Sequence, residues 1–271
     1  MRGVLVAALL LTGCGRFGFD SASGPPPGDD DTPPDTQDLT ALFQDCLAHY
    51  AMDEAEWTGA SGEVLDTCGG HHGTASGGAT TIADDIRGRA GVFVGDPSCV
   101  QVADASGLQP IGAMTASAWI LPTALSPLSF GVLSRRDDFG VNAAYSLFIW
   151  TDNFGTGSTN QLYVDIDGEN DRVPDPNATF LNEWHQVTVV YDGSLASAGR
   201  VQFYVDGEPS FTAPETSSTI APNAGSPPLS IGCLPLTNPA QSFIGRIDDV
   251  ALWNRALDAA DVGLWYAVTR R

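Results

Sequence analysis

Residues 184–191 read Trp-His-Gln-Val-Thr-Val-Val-Tyr, and residues 201–205 read Val-Gln-Phe-Tyr-Val. These two runs decide the fold. They are rich in β-branched and aromatic residues and alternate apolar with polar side chains, which is the pattern of a half-buried strand. The pairs Asp192-Gly193 and Asp206-Gly207 are strong turn signals, because glycine accepts a positive φ angle. The sequence therefore predicts β-strands joined by tight turns.

The same pattern extends outward in both directions, with clusters of Gly, Pro, Asn and Asp between short strand-like runs. Further strands are predicted at residues 91–95, 115–121, 145–150 and 161–166. No internal repeat is visible, which excludes a propeller or solenoid. We therefore expect a single all-β sandwich over residues 39–271, a normal length for this class.

Two stretches favour helices, and a set of aromatic residues predicts the core. The helices are Leu39–Phe43, capped by Asp38, and Asp258–Val268. In the second, Val262, Trp265 and Tyr266 are expected to face the sandwich. The aromatic residues occupy strand-like segments at positions that would alternate into one core; they are Trp119, Trp184, Tyr191, Phe203 and Trp253.

The first residues are organised like a lipoprotein signal peptide. Arg2 precedes an apolar run, residues 4–11, which is shorter than the ~20 residues of a membrane-spanning helix and typical of a signal-peptide core. Leu11-Thr-Gly-Cys14 then resembles the lipobox of bacterial lipoproteins. The alternative is an ordinary secretory signal with a stray cysteine. We expect residues 1–13 to be removed and Cys14 to be lipidated; Gly15, in place of aspartate, favours the outer membrane.

Residues 14–38 are predicted to form a disordered tether, because residues 21–38 are rich in Pro and Asp and nearly lack apolar side chains.

The chain has 12 basic residues, all of them arginine, against 33 acidic residues, and its net charge is −21. Such a surface repels nucleic acid and anionic headgroups, which excludes a nucleic-acid function. It is compatible with binding of divalent cations.

Four cysteines remain once Cys14 is assigned, namely Cys46, Cys68, Cys99 and Cys233. An even set in an exported chain predicts two disulfides, and the absence of a CxxC pair argues against a zinc site. Three pairings are open. We favour Cys46–Cys68 with Cys99–Cys233, because the first bond closes a short local loop.

Several motifs, read in chain order, resemble a laminin-G-like domain of the concanavalin A-like lectin/glucanase superfamily. Among them are Asp66-Thr-Cys-Gly-Gly-His-His-Gly73, Gly88-Arg-Ala-Gly-Val-Phe-Val-Gly95 and Phe243-Ile-Gly-Arg-Ile-Asp-Asp-Val-Ala-Leu-Trp-Asn-Arg-Ala-Leu257. The resemblance extends over most of residues 39–271. It implies a jelly-roll sandwich of two antiparallel sheets, in which the first and last long strands lie close together.

No catalytic residue is predicted. A hydrolase of this superfamily would carry two carboxylates on one strand, in an E-x-D-x-E-like pattern, and neither acidic cluster, at residues 53–56 or 165–171, provides it. A G-x-S-x-G elbow, an HExxH motif and a P-loop are also absent. His71, His72 and His185 are interpreted as structural.

The acidic residues favour a calcium site over a catalytic one, since calcium binds carboxylate and carbonyl oxygens gathered from loops. If the first and last strands adjoin, acidic residues near their ends and in the next loop come together. These candidate ligands are Asp53, Glu54, Asp66, Asp248 and Asp249; the alternative is that they are solvated strand ends. Residues 165–171 have EF-hand-like spacing but lack the twelfth-position Glu, and we interpret them as a turn.

The sequence is compatible with three functions. The first is a non-enzymatic binding or adhesion module at the cell envelope, which recognises a glycan or a surface protein through loops at one sheet edge. The second is a structural or scaffolding lipoprotein, and the third is a glycan-active hydrolase. The first rests on an analogy of fold, which is weak support for a function. In each case the membrane is contacted only through the lipid anchor.

Overall fold

Two antiparallel β-sheets pack against each other in the computed structural model, which describes residues 36–103, 107–124, 129–136, 144–150, 161–167, 173–221, 227–234 and 241–271. The predicted signal peptide, the lipidation site Cys14 and nearly all of the predicted tether lie outside these residues. Within them, no helix has both the length and the apolar character needed to cross a membrane.

The described residues form helix α1 (Thr36–Leu42), seventeen strands and helix α2 (Ala259–Thr269). The strands are β1 (Cys46–Tyr50), β2 (Thr74–Ser76), β3 (Thr80–Asp84), β4 (Gly88–Val94), β5 (Cys99–Val102), β6 (Ala113–Pro122), β7 (Ser129–Arg135), β8 (Tyr145–Trp150), β9 (Gln161–Ile166), β10 (Val173–Thr179), β11 (His185–Asp192), β12 (Val201–Val205), β13 (Glu208–Ala213), β14 (Leu229–Ile231), β15 (Cys233–Leu234), β16 (Gln241–Ser242) and β17 (Ile244–Trp253). A short 3-10 turn, Ser197–Gly199, precedes β12.

The eight-stranded sheet has the order β13-β12-β11-β6-β17-β4-β3, and β1 also pairs with β17. The seven-stranded sheet has the order β10-β9-β8-β7-β14-β5-β2, and β15 and β16 form a short ladder of their own. The predicted sandwich of two antiparallel sheets is confirmed. So is the adjacency of the first and last long strands, since β1 runs antiparallel to β17.

The stretch that decides the fold lies near the middle of the eight-stranded sheet. Strand β11 pairs with β6 on one side and with β12 on the other. Val187, Val189 and Tyr191 point into the core between the sheets. The turn Asp206-Gly207 closes the hairpin of β12 and β13, and both of its residues have positive φ, 52° and 80°, as a two-residue hairpin turn requires.

Helix α2 covers the outer face of the same sheet, so its central strands are buried on both sides. Polar side chains on this face bond to one another: Ser117 Oγ lies 2.7 Å from Thr188 Oγ1. Trp265 Nε1 donates to Ser117 Oγ at 3.1 Å. These bonds satisfy hydroxyl groups that would otherwise be costly to bury.

Both helices form where helices were predicted, with shifted ends. Helix α1 begins at Thr36 instead of Leu39. Helix α2 begins after Asp258, whose carboxylate caps it by accepting from the N–H of Asp261 at 2.9 Å. Val262 and Trp265 are buried against the sheet as predicted, whereas Tyr266 is only half-buried.

The aromatic residues do not share one core, which corrects the prediction. Tyr191 and Phe203 lie between the sheets, and Trp253 lies in a second apolar cluster between the sheet and α2. Trp119 is buried on the outer face, while Trp184 is partly exposed. The prediction failed because strand periodicity shows which side chains share a face of the sheet, but it does not show that α2 covers the outer face. Trp253, on that outer face, is therefore buried in a second cluster.

Two disulfides are present, Cys46–Cys68 and Cys99–Cys233. This is the favoured one of the three pairings. The first bond joins β1 to the loop that follows it, and the second joins β5 to β15.

Candidate functional site

A buried arginine lies at the centre of the predicted calcium cluster. Arg87 is 1% exposed; its Nε donates to Asp248 Oδ2 at 2.9 Å and its Nη2 to Asp249 Oδ2 at 2.5 Å. Its Nη1 donates to the carbonyl oxygen of Thr269, the last residue of α2, at 2.6 Å. Burial and the neighbouring Asp249 raise the pKa of Asp248, and Arg87 opposes them. The chain itself thus supplies the positive charge that balances these two carboxylates.

Two further candidate ligands have other partners. Asp53 forms a two-pronged ion pair with Arg271, with both N–O distances at 3.0 Å. Glu54 accepts from Trp57 Nε1 at 3.0 Å and from the N–H of Leu65 at 2.7 Å. The two side chains therefore support the loop after β1.

Asp66 organises the loop that carries the two adjacent histidines. It is 5% exposed, and each of its oxygens accepts two backbone N–H groups at 2.8–3.1 Å. The donors belong to His49, Cys68, Gly69 and His71. Four such bonds fix the loop as one turn, which assigns Asp66 a structural role.

These five carboxylates do not form a metal site in the described part of the chain. No group of three or more His, Cys, Asp or Glu side chains there is close enough to hold an ion, whereas calcium takes about six to eight oxygen ligands. Each of the five carboxylates accepts instead from at least one nitrogen donor. The arrangement does not fit a calcium ion shared by all five, and calcium binding stays a prediction.

The second acidic segment is described only at its start, where Asp165 lies in β9 and Asp167 directly follows that strand, so its interpretation as a turn stays a prediction. Asp165 forms an ion pair with Arg136, with a distance of 3.1 Å from Oδ2 to Nη1. Asp167 has a positive φ of 57°, and its Oδ1 accepts from the N–H of Ala221 at 2.9 Å. Asp171 lies outside the described residues.

His49 was missed by the sequence reasoning, because nothing near it in the chain suggests a partner. Its Nε2 lies 3.1 Å from Asp249 Oδ1, and its Nδ1 lies 2.9 Å from Thr67 Oγ1. The spacing is that of a hydroxyl, imidazole and carboxylate triad. The amides of Cys68 and Gly69, next to Thr67, already donate to Asp66. These two amides are therefore not available to bind an oxyanion. Thr67, His49 and Asp249 instead form a structural bridge between β1 and β17.

The outer face of the seven-stranded sheet carries a row of polar side chains that face each other across the register. Ser230 lies opposite Ser134, Ser134 opposite Ser146, and Ser146 opposite Asp165. All four are at most 1% exposed. They therefore offer no contact surface to a ligand in this structure.

An open cleft lies on the outer side of the eight-stranded sheet, beside the C-terminal end of α2. Its volume is about 380 Å³, in the lower part of the range of ~300–1,000 Å³ that is typical of small-ligand pockets. Its aromatic lining is Trp119, Trp184 and Tyr266, and its charged lining is Arg87, Arg270, Arg271 and Glu183. We call it the aromatic cleft.

Trp119 forms the fixed inner wall of the aromatic cleft. It is 5% exposed, and its Nε1 donates to Thr269 Oγ1 at 2.9 Å. The ring of Tyr266 stacks against it, with centroids 5.5 Å apart and planes inclined by 23°. The guanidinium carbon of Arg87 lies 4.2 Å from its ring centroid, within the range of a cation–π contact. Trp119 therefore holds both neighbours in place.

Trp184 and Tyr266 supply the accessible aromatic surface, since both are half-buried. Trp184 directly precedes β11 and follows Asn182, whose positive φ of 62° turns the chain at this point. Asn182 is anchored by its N–H, which donates to the carbonyl of Pro122 at 2.7 Å. Aromatic faces beside polar groups suit ligands that have both apolar and hydroxylated sides.

Glu183 is the only carboxylate among the described residues that line the aromatic cleft. Glycoside hydrolysis uses two carboxyl groups on either side of the scissile bond. The described lining of the cleft supplies one such group.

His185 forms an electrostatic contact next to the cleft. Its Nδ1 lies 2.8 Å from Asp206 Oδ2, and its Nε2 lies 3.7 Å from Glu183 Oε2. The hydrogen bond with Asp206 raises the pKa of His185 above its ordinary value of 6.5, and burial acts in the opposite direction. A raised folded-state pKa means that protonated His185 adds stability at low pH. This stability is lost as the pH rises through the folded-state value.

Asp206→Asn should therefore lower the pKa of His185 and remove this pH-dependent stability. Asparagine tolerates the positive φ of residue 206 and keeps an oxygen for the N–H of Gln186, which donates to Asp206 Oδ1 at 2.9 Å. An NMR titration of the His185 ring in both proteins measures the change. An unchanged pKa would show that Asp206 does not control this imidazole.

The aromatic cleft was not predicted, because its residues come from distant parts of the chain. Trp184 was assigned to the core on the strength of its strand-like neighbours. Tyr266 was assigned to the face of α2 that meets the sheet. The sequence held one signal, the adjacent pair Trp265-Tyr266. Neighbouring side chains on a helix point in different directions, so the two rings could not both face the sheet.

Comparison with known proteins identifies the fold. Domain 4 of AbnA, a GH43 extracellular arabinanase from Geobacillus stearothermophilus solved in complex with arabinotriose, is similar over 83% of this chain and 98% of its own, with 17% identity and a TM-score of 0.57. The binding domain of botulinum neurotoxin serotype D is similar over 85% of this chain, with 12% identity and a TM-score of 0.57. A structure of botulinum neurotoxin type C, whose entry into cells depends on interaction with two ganglioside molecules, shares 14% identity over 86% of this chain, with a TM-score of 0.57. This chain spans about half of each neurotoxin chain, 52% and 53%.

These identities are low, so the likeness shows the fold alone. No curated protein matches the chain by sequence. A family model described as the concanavalin A-like lectin/glucanases superfamily, of the laminin-G type, matches residues 95–263. That segment is more than half of the chain and contains most strands of both sheets. The chain therefore belongs to the concanavalin A-like lectin/glucanase superfamily, as a laminin-G-like member.

Proposed function

We propose that this protein is a non-enzymatic glycan-binding module, and that the aromatic cleft holds the sugar. The observation that carries the proposal is the pair of accessible rings, Trp184 and Tyr266, in a cleft that also presents arginine and amide groups. The C–H face of a sugar ring stacks on such aromatic surfaces, while its hydroxyl groups bond to the polar rim.

The cleft is preformed, which favours binding. Trp119 is locked by the hydrogen bond to Thr269 and stacks on Tyr266. Asn182 and the start of β11 fix the backbone on either side of Trp184, and the guanidinium carbon of Arg87 lies 5.9 Å from the centroid of the Trp184 ring. A ligand therefore does not have to order these side chains, and the entropic cost of binding is low.

The similar structures support a saccharide as the ligand class. The AbnA domain was solved with arabinotriose, and botulinum neurotoxin type C interacts with two ganglioside molecules. We propose that this chain also recognises a carbohydrate. Both of those ligands belong to other proteins, so the sugar itself is to be found by experiment.

The proposal includes a location at the cell envelope. Lipidation of Cys14 and the acidic, Pro-rich residues 21–38 would tether the module to the outer membrane and hold it away from the lipid surface. The protein would then act as an anchored receptor or adhesin. The net charge of −21 keeps it from binding anionic surfaces nonspecifically.

A glycan array that includes arabino-oligosaccharides and ganglioside oligosaccharides, probed with the full chain, tests the proposal. We expect saturable binding to a defined set of glycans, weakened about tenfold or more by Trp184→Ala because the stacking surface is lost. Phe211→Ala is the matched control, because Phe211 is a comparably exposed aromatic residue, 36% exposed, outside the cleft lining.

The opposite results are equally informative. If no glycan binds, and a protein is recovered by crosslinking instead, glycan recognition is excluded and a scaffolding role replaces it. If glycans bind and Trp184→Ala binds as well as the wild type, the sugar site lies outside the aromatic cleft.

A further inference from the structure

We infer that the aromatic cleft selects sugars that carry a carboxylate, and that Arg270 is the residue that recognises this group. The inference rests on the proposed glycan-binding function and goes beyond it by naming the ligand class. Uronic acids and sialic acids both present the required chemistry, a carboxylate attached to a pyranose ring.

Arg270 differs from the other described arginines because its guanidinium has no acceptor among the described residues. Each of the others donates to a carboxylate, a carbonyl or a side-chain oxygen of the chain; they are Arg87, Arg89, Arg135, Arg136, Arg200, Arg246, Arg255 and Arg271. Within the described residues, the guanidinium of Arg270 contacts only the ring of Tyr266, at 5.6 Å from the centroid.

An uncommitted arginine is unusual in a chain with 33 acidic residues and only 12 basic ones. The neighbouring carboxylates are already used, because Asp53 pairs with Arg271 and Asp248 and Asp249 pair with Arg87. Glu183, the carboxylate in the lining, lies beside His185. Among the described residues that line the cleft, Arg270 is therefore the one whose charged donors bond to no group of the described chain.

The position of Arg270 suits recognition of a carboxylate on a stacked sugar. Its planar guanidinium can offer two parallel N–H groups to one carboxylate, the strongest geometry for such a pair. Residue 270 directly follows α2, while Tyr266 lies one turn earlier on that helix. A sugar ring packed on Trp184 and Tyr266 would thus carry its acidic group towards the exposed guanidinium.

Paired oligosaccharides test the inference with the full chain. We would titrate a sialylated and a glucuronate-containing oligosaccharide, each beside its carboxyl-reduced neutral counterpart, at constant ionic strength. We expect the wild type to bind at least one acidic member about tenfold more tightly than its neutral counterpart. Arg270→Gln should abolish this difference, because it weakens the binding of the acidic sugar much more than that of its neutral counterpart.

Two controls separate specific recognition from net charge. Arg270→Lys keeps the charge but loses the planar pair of donors, so it should retain only a small part of the preference. Arg200→Gln removes one positive charge from an arginine that bonds only to carbonyl oxygens outside the cleft. It should leave the preference unchanged.

Each outcome has one meaning. Equal binding of acidic and neutral sugars, or a preference that survives in Arg270→Gln, overturns the inference while glycan binding stands. If no sugar of either kind binds, and the array is silent as well, the proposed function itself fails. The sialylated and glucuronate arms show which source of carboxylate the cleft accepts.

Discussion

Replacement of Arg87 by methionine should lower the free energy of unfolding by about 3–5 kcal/mol, the cost of leaving buried charges without their partner. Asp248 is fully buried and Asp249 is 3% exposed, and both depend on this guanidinium. The same substitution removes the donor to the carbonyl oxygen of Thr269. Loss of Arg87 therefore leaves Asp248 without its partner and leaves Asp249 with His49 and the more distant Arg271. It also removes one of the bonds that hold the C-terminal end of α2.

Urea unfolding at neutral pH measures the effect, with Arg200→Gln as the matched control. Arg200 bonds to carbonyl oxygens and to no carboxylate, so its loss leaves no buried charge unpaired and should cost clearly less than the loss of Arg87. The double variant Arg87→Met/Asp248→Leu removes one orphaned charge and should recover part of the loss. A change below about 1 kcal/mol in Arg87→Met would contradict the assignment of Arg87 as the internal counter-ion.

Trp265→Ala should cost a similar amount, about 3–5 kcal/mol, as expected for truncation of a buried tryptophan. The side chain is 1% exposed and meets Trp253 edge to face, with centroids 5.2 Å apart. It also contacts Phe43 and His49. It is thus the main contact between α2 and the outer face of the sheet.

Trp265→Phe separates packing from hydrogen bonding. This variant keeps an aromatic ring but loses the donor to Ser117 Oγ, and it should cost clearly less than Trp265→Ala. Thermal unfolding of the three proteins gives the order. Equal stabilities for Trp265→Ala and the wild type would mean that α2 does not need this contact to dock.

Much of the fold was visible in the sequence because strand formation depends on local periodicity. The predicted runs at residues 145–150, 161–166 and 201–205 agree with β8, β9 and β12 at both ends. The turn at Asp206-Gly207 was also predicted, since its chemistry lies in two adjacent residues. Such features need no knowledge of the rest of the chain.

The partners across strands could not be predicted in the same way. Trp184 looked like a core residue, yet it lines the aromatic cleft, because α2 covers only part of the outer face. Asp248 and Asp249 looked like calcium ligands, since the sequence shows the acids and not the arginine that reaches them. Arg87 lies in the turn between β3 and β4, far from both acids along the chain.

Calorimetric titration of the full chain with the oligosaccharide that the array selects is the most direct test of glycan binding at the aromatic cleft. We expect saturable binding by the wild type, a dissociation constant raised about tenfold or more in Trp184→Ala, and an unchanged constant in Phe211→Ala. Wild-type affinity in a folded Trp184→Ala protein would contradict it.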